Sequence, residues 1–153
     1  MDNIAWAYIA GLFDGEGSVL ITRDKHNYYT LQVQLVLTHK EAIDKLAAMT
    51  GGFVCRPTRP SDPNRLPAWR WGLKSRKAAA FLEQVLPYLI VKRRQAELGL
   101  AFQSRCAVGK HASKVGFRAL PQEEWDARER LYWQVRVLNN HRNLARVPEH
   151  LSL

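Results

Sequence analysis

Cysteine is scarce in this 153-residue chain: Cys55 and Cys106 stand alone, with no CxxC pair and no Cys/His cluster around either. That pattern excludes a disulfide-stapled scaffold and argues against a zinc or iron–sulfur centre. Long apolar runs are also missing. The longest uninterrupted one, Ile4 to Phe13, is too short to span a bilayer and lacks the basic lead-in and small-residue cleavage site of a secretory signal. The expectation is a soluble, intracellular protein with no membrane partner, and the length fits one domain able to bury its own core.

Acidic residues nearly vanish from the middle of the chain. Residues 1–52 carry 4 Lys+Arg against 6 Asp+Glu, residues 53–118 carry 14 against 3, and residues 119–153 carry 5 against 5, so the net +9 arises from one segment. Basic charge gathered in this way suits a polyanion, because Lys and Arg contacts to phosphate release counterions. A solvated face kept for solubility is the alternative reading. The branched and aromatic content excludes a disordered tail.

What is present is strongly patterned. Asp2 or Asn3 can cap a helix over Ile4 to Asp14, and Trp6, Tyr8, Ile9, Leu12 and Phe13 make that helix apolar nearly all round, which predicts burial between elements. Ala7, Gly11 and Gly15 recur every four residues along it, a ridge of small residues that lets two backbones approach closely. From Ser18 the period becomes 2. Val19 and Ile21 alternate with Ser18, Thr22 and Asp24; after a polar turn, Leu31, Val33, Leu35 and Leu37 alternate with Thr30, Gln32, Gln34 and Thr38. Lys40 to Met49 reads as a helix stopped by Gly51 and Gly52. A second hairpin follows, Phe53 to Arg59 and Trp69 to Lys74, joined by a proline-rich loop. Ser75 can cap a helix over Arg76 to Leu86, Lys92 to Cys106 reads as another, and Pro121 opens a last one.

The predicted fold is therefore α+β. An αββαββα core occupies residues 1–100, its antiparallel sheet turns one polar face outward, and helices extend it over 101–153. On that outward face Ser18, Thr22, Asp24, Thr30, Gln32, Gln34, Arg56, Arg70 and Lys74 are candidates for contact with duplex DNA, whose major groove admits a two-stranded ribbon and is read by such side chains. Lys110 and Lys114, in a basic stretch after the sheet, are candidates for phosphate contact. Plain solvation accounts for polar sheet faces in many proteins, and it remains open here.

The end of the first helix breaks a local rule. Asp14 and Glu16 sit at the negative end of its dipole, where an exposed carboxylate costs about 0.3–1 kcal/mol. Two copies of the helix packed along Ala7, Gly11 and Gly15 would bring both Glu16 side chains together, and paired carboxylates repel unless protons or cations intervene. Oxygen ligands without His or Cys suit Mg²⁺. Two such ions at a DNA backbone can activate water and stabilise a leaving oxygen.

The string from Tyr8 through Ala10-Gly11-Leu12-Phe13-Asp14-Gly15-Glu16-Gly17 to Ser18 resembles the LAGLIDADG motif, and the element order after it resembles that family's core through Leu100. The resemblance implies a homing endonuclease that makes a staggered double-strand break in a long DNA target, using Mg²⁺ or another divalent cation such as Mn²⁺ and no organic cofactor. It assigns Glu16 as the catalytic metal ligand and Gly15 as a carbonyl ligand, with Asp14 supporting the helix end. His39 falls where the family often has glutamine near the reactive water, and Lys92 where it has an active-site lysine. One motif copy implies a homodimer joined at Ala7, Gly11, Asp14 and Gly15, and a pseudo-palindromic target. Such proteins are typically intron- or intein-encoded, in a prokaryotic cytoplasm or an organelle matrix. An RNA splicing maturase and a non-catalytic DNA-binding protein of the same fold are the competing readings.

Overall fold

A computed structural model describes residues 1–25, 28–58, 66–107, 121–151 and 153. The order is helix α1 (Asn3–Glu16), strands β1 (Gly17–Arg23) and β2 (Tyr29–Leu37), helix α2 (Lys40–Thr50), strands β3 (Phe53–Thr58) and β4 (Ala68–Lys74), then helices α3 (Ser75–Val85), α4 (Arg93–Ala107) and α5 (Gln122–Asn139). Short 3-10 turns cover Leu86–Tyr88 and His141–Arg146. The αββαββα core expected from the sequence is present. The four strands are antiparallel in the order β1-β2-β4-β3, which sets the second strands of the two hairpins side by side. Their outer faces thereby merge into one surface.

Register decides which side chains share that surface. Ser18 lies opposite Gln34, Gln34 opposite Gly72, and Gly72 opposite Phe53. Parallel rows join Leu20, Gln32 and Lys74, and Val36, Arg70 and Cys55; Thr22 faces Thr30. The alternate residues Val19, Ile21, Leu31, Val33, Leu35, Trp71 and Leu73 are buried against the helices. Helix α4 crosses this inner face closely at Gly99, where a Cβ would lie 2.9 Å from the Leu31 side chain. Helix α5 flanks the free edge of β1, with the Asn139 amide donating to the Val19 carbonyl at 2.8 Å. Phe102, Tyr132, Trp133, Val135 and Leu151 complete the core, so burial continues well beyond residue 100.

Three local readings of the sequence differ from the structure. Helix α1, expected to be buried on every side, buries only Ile9, Ala10 and Phe13, while Ile4 and Tyr8 are 80% and 70% exposed. Its hydrophobicity exceeds what the chain's own core can cover. Ser75 does not cap α3: no side chain closes that end, and Ser75 itself takes φ 51, because β4 turns into the helix without a loop. Helix α4 begins at Arg93, which leaves Lys92 just outside it.

Candidate functional site

Helix α1 runs into β1 with no intervening loop, and Gly17 permits this. A Cβ there would come within 2.2 Å of the Phe13 ring, and the Gly17 N–H closes the helix on the Phe13 carbonyl. Glu16 is thus held on the last turn of α1, one peptide from the sheet, and its side chain is exposed. It makes no hydrogen bond or ion pair with any described residue. Gly11 and Gly15 behave differently from Gly17: a Cβ at either would meet nothing within 4 Å. A glycine inside a helix costs about 0.5–1 kcal/mol relative to alanine, and here the folded chain shows no steric need for it. Ala7, Gly11 and Gly15 are all exposed, on the same open side as Ile4 and Tyr8.

Asp14 turns the other way. Its carboxylate accepts the backbone N–H groups of Ile90 at 2.7 Å, Val91 at 3.1 Å and Lys92 at 2.9 Å, immediately before α4. It therefore fixes the bend at residues 90–92 that leads into α4. The Lys92 ammonium in turn donates to the Asp14 carbonyl. A cation is thereby set at the negative end of the α1 dipole, on the turn that carries Gly15 and Glu16. Partial burial alone would raise the Asp14 pKa; the three N–H donors and the Lys92 charge override it and hold the carboxyl below its ordinary value. So Asp14, expected at a helix–helix seam, is engaged within its own chain. Its partners lie 76 to 78 residues away in sequence, which is why no local pattern announces them.

His39 caps α2, its Nδ1 accepting the Ala42 N–H at 3.3 Å. With Tyr8, Leu12 and Met49 it lines a groove of about 240 Å³ between α1 and α2. Steps of four residues lead along that side of α1 from Tyr8 through Leu12 to Glu16. The structure thus gathers Glu16, Gly15 and Lys92 at one helix end and sets His39 beside the same helix.

On the outer sheet face, Ser18, Thr30, Gln32 and Gln34 are half-buried, and Thr22, Arg70 and Lys74 are exposed. The Thr22 hydroxyl donates to the Thr30 carbonyl, and Asp24 closes the hairpin by accepting the Tyr28 N–H at 2.8 Å. The side chain of Arg56, and Lys110 and Lys114 entirely, lie outside the described residues. The face is less polar than alternation implied. Leu20 and Val36 belong to it by register, and Phe53 lies over Gly72 with the Lys74 ammonium 5.6 Å from its ring. Gly72 is the signal for this, since a glycine within a strand marks a close approach.

Could this site hold a divalent metal ion? Among the described residues no three His, Cys, Asp or Glu side chains gather into a cluster. The open end of α1 offers oxygen donors alone, the exposed Glu16 carboxylate and the Gly15 carbonyl, which fit a hard cation. Among the described residues this end of α1 offers one open carboxylate, that of Glu16.

No protein-family model and no curated protein sequence matches the chain. Solved structures do. The homing endonuclease I-CvuI in complex with its target, in the presence of calcium, matches 99% of this chain and 87% of its own, with a TM-score of 0.68 and 17% identity. The archaeal intron-encoded homing endonuclease I-Vdi141I complexed with DNA matches 90% of this chain and 86% of its own, at 0.67 and 17%. The LAGLIDADG meganuclease I-AabMI bound to uncleaved DNA covers all of this chain, which spans 51% of that protein, at 0.69 and 16%. The chain has the fold of the LAGLIDADG homing endonucleases.

Removing the Asp14 carboxylate takes this acceptor from the N–H groups of Ile90, Val91 and Lys92. Asp14→Ala should lower stability at pH 7 by about 1–3 kcal/mol, as leaving hydrogen-bonding groups without a partner does. Because the folded pKa is depressed, this contribution is present above the unfolded pKa, near 4 for aspartate, and disappears as pH falls through the folded value. Urea midpoints of wild type and Asp14→Ala should therefore differ at pH 7 and converge in the acid range below pH 4. A constant difference across that range would show that the carboxylate charge contributes nothing.

Proposed function

We propose that the protein is a site-specific DNA endonuclease of the homing type, which acts as a homodimer and hydrolyses both strands of a long, pseudo-palindromic target to leave a staggered break. Glu16 carries this reading: an exposed carboxylate without a partner among the described residues, fixed at the end of a helix whose open side bears two glycines and two large apolar residues. A passive DNA-binding protein has no use for an anion beside a phosphate backbone. Pairing of two α1 helices along Ala7, Gly11 and Gly15 covers Ile4 and Tyr8 and sets two copies of Glu16 next to one another. The relatives of the same fold were solved on DNA, one of them with calcium and with magnesium.

Glu16 and the Gly15 carbonyl would hold the divalent cation, Mg²⁺ or Mn²⁺, which when bound supplies Lewis-acid stabilisation of charge on the scissile phosphate. The chain's own groups do the rest. Lys92 places a positive charge at the end of α1, suited to the growing negative charge of the phosphorane. The Nε2 of His39, left free by the Nδ1 cap, can orient a water or bind a phosphate oxygen. Gln32, Gln34 and Arg70 offer amide and guanidinium groups to base edges, while Ser18, Thr22, Thr30 and Lys74 border them on the same face.

Glu16→Gln keeps the side chain's shape and removes its charge. Incubation with Mg²⁺ and a library of natural insertion-site duplexes should yield cut ends from the wild type and none from the variant, which still binds the selected site. A folded Glu16→Gln protein that no longer binds would assign the residue to fold or interface, and binding without cutting by the wild type would favour a splicing or regulatory role.

Sequence readout and general affinity should separate. Substituting Gln32, Gln34 or Arg70 should cost about 1–3 kcal/mol at particular base pairs. Changes at Lys110 or Lys114 should weaken all sequences alike and reduce the salt slope by about 1 each. Uniform effects from both groups, measured across a site library, would remove the sheet from base readout.

The dimer is testable at Gly11. A Cβ at position 11 meets nothing within 4 Å among the described residues, so Gly11→Leu should act chiefly by forcing two α1 helices apart, and a displacement of about 1 Å at the reacting groups can cost about 100-fold in rate. Light scattering and cleavage assays should show assembly and activity lost together; a folded, fully active monomer overturns the paired-helix arrangement.

A further inference from the structure

The tip of the β1–β2 hairpin sits at the edge of the hydrophobic core, where Tyr29 packs against it. Arg23 ends β1 opposite Tyr29, the first residue of β2, and strand alternation sends both to the helix side while Thr22 and Thr30 face outward. Beneath them runs one stripe of α5. The Arg23 guanidinium lies 3.6 Å from the Glu129 carboxylate and 5.6 Å from the centre of the Tyr132 ring. The Tyr29 phenol beside it favours the charged guanidinium and raises the Arg23 pKa. Tyr29 itself packs edge-on against Trp125 at 6.1 Å and Tyr132 at 5.3 Å. Residues 125, 129 and 132 follow the spacing of a single helix face.

An exposed ion pair adds little stability. Geometry is what this one provides. A planar guanidinium held at once by a carboxylate, a phenol and an aromatic ring has one orientation, and it binds the hairpin tip to a helix that makes no part of the outer surface. We infer that Arg23 is a positioning residue: through Glu129 and Tyr132 it sets the height and tilt of the hairpin tip, and so determines how Thr22 and Thr30 meet the base pairs at the outer end of each half-site. The inference rests on the proposed DNA readout, and α5 becomes a second-tier determinant of specificity.

The experiment combines a DNA-free and a DNA-bound readout on the full chain. Without DNA, hydrogen exchange at the amides of residues 21–24 and 29–31 should accelerate in Arg23→Ala and in Glu129→Gln, with the unfolding midpoint little changed. With DNA, both variants should still cleave the best site but lose about tenfold of their discrimination at the outer base pairs alone, the amount one good base contact supplies. The charge-swapped double variant Arg23→Glu/Glu129→Arg should restore much of that discrimination. If Arg23 touches phosphate directly, Arg23→Ala weakens every sequence equally and Glu129→Gln does nothing, which overturns the inference. Unchanged exchange at the tip overturns it as well. A wild type that neither binds nor cuts DNA defeats the proposed function instead, and the exchange result still stands.

Discussion

Asp14 ties together the parts of this molecule on which the site depends. Its carboxylate joins the last turn of α1 to the N–H groups that precede α4, and Lys92 returns the bond by placing its ammonium on the carbonyl of the same residue. Two helix ends of opposite polarity are thereby neutralised against each other. The consequence for function is positional. Glu16 follows Asp14 by two residues, and Lys92 is fixed by Asp14 on both its backbone and its side chain, so the carboxylate and the ammonium of the proposed site share one anchor. Without the Asp14 carboxylate, the N–H groups of Ile90, Val91 and Lys92 would lose their shared acceptor and the bend before α4 its tie to α1.

The three glycines around that turn answer to different constraints. Gly17 is demanded from within, because Phe13 occupies the space of any Cβ. Phe13 is fully buried and meets Phe81 edge-on at 5.3 Å, so this demand reaches the centre of the core. Gly11 and Gly15 have open space instead. Helix propensity alone would replace both with alanine. They lie on the side that also exposes Ile4 and Tyr8, the side along which the proposed dimer would pair.

Much of this was legible in the residues. Alternation in Ser18 to Thr38 and Trp69 to Lys74 identified the strands and their faces, because a period of 2 leaves no ambiguity where one face is apolar. Glu16 stood out since a carboxylate at a helix end breaks a local rule. What escaped notice depends on pairing at long range. Asp14 finds its donors through the tertiary fold, Phe53 reaches the outer face only through register with Gly72, and the Arg23–Glu129 pair spans more than a hundred residues. The apolar character of α1 is plain in the residues, but which of its sides the chain itself covers, at Ile9, Ala10 and Phe13, depends on the tertiary fold.

Dimensions carry the proposed dimer one step further. β2, the longest strand at 9 residues, extends about 30 Å at about 3.4 Å per residue. Stacked base pairs advance by nearly the same distance, about 3.4 Å along each strand of the duplex. One sheet laid along a groove therefore follows about nine base pairs at most, too short a stretch to mark a unique place in a genome. A second sheet, related by a two-fold axis at α1, doubles the span. It also places the two copies of Glu16 at the middle, between the two half-sites and opposite both strands. In the proposed dimer the symmetry that would cover Ile4 and Tyr8 would thus also lengthen the recognised sequence and bring together one Glu16 carboxylate from each chain.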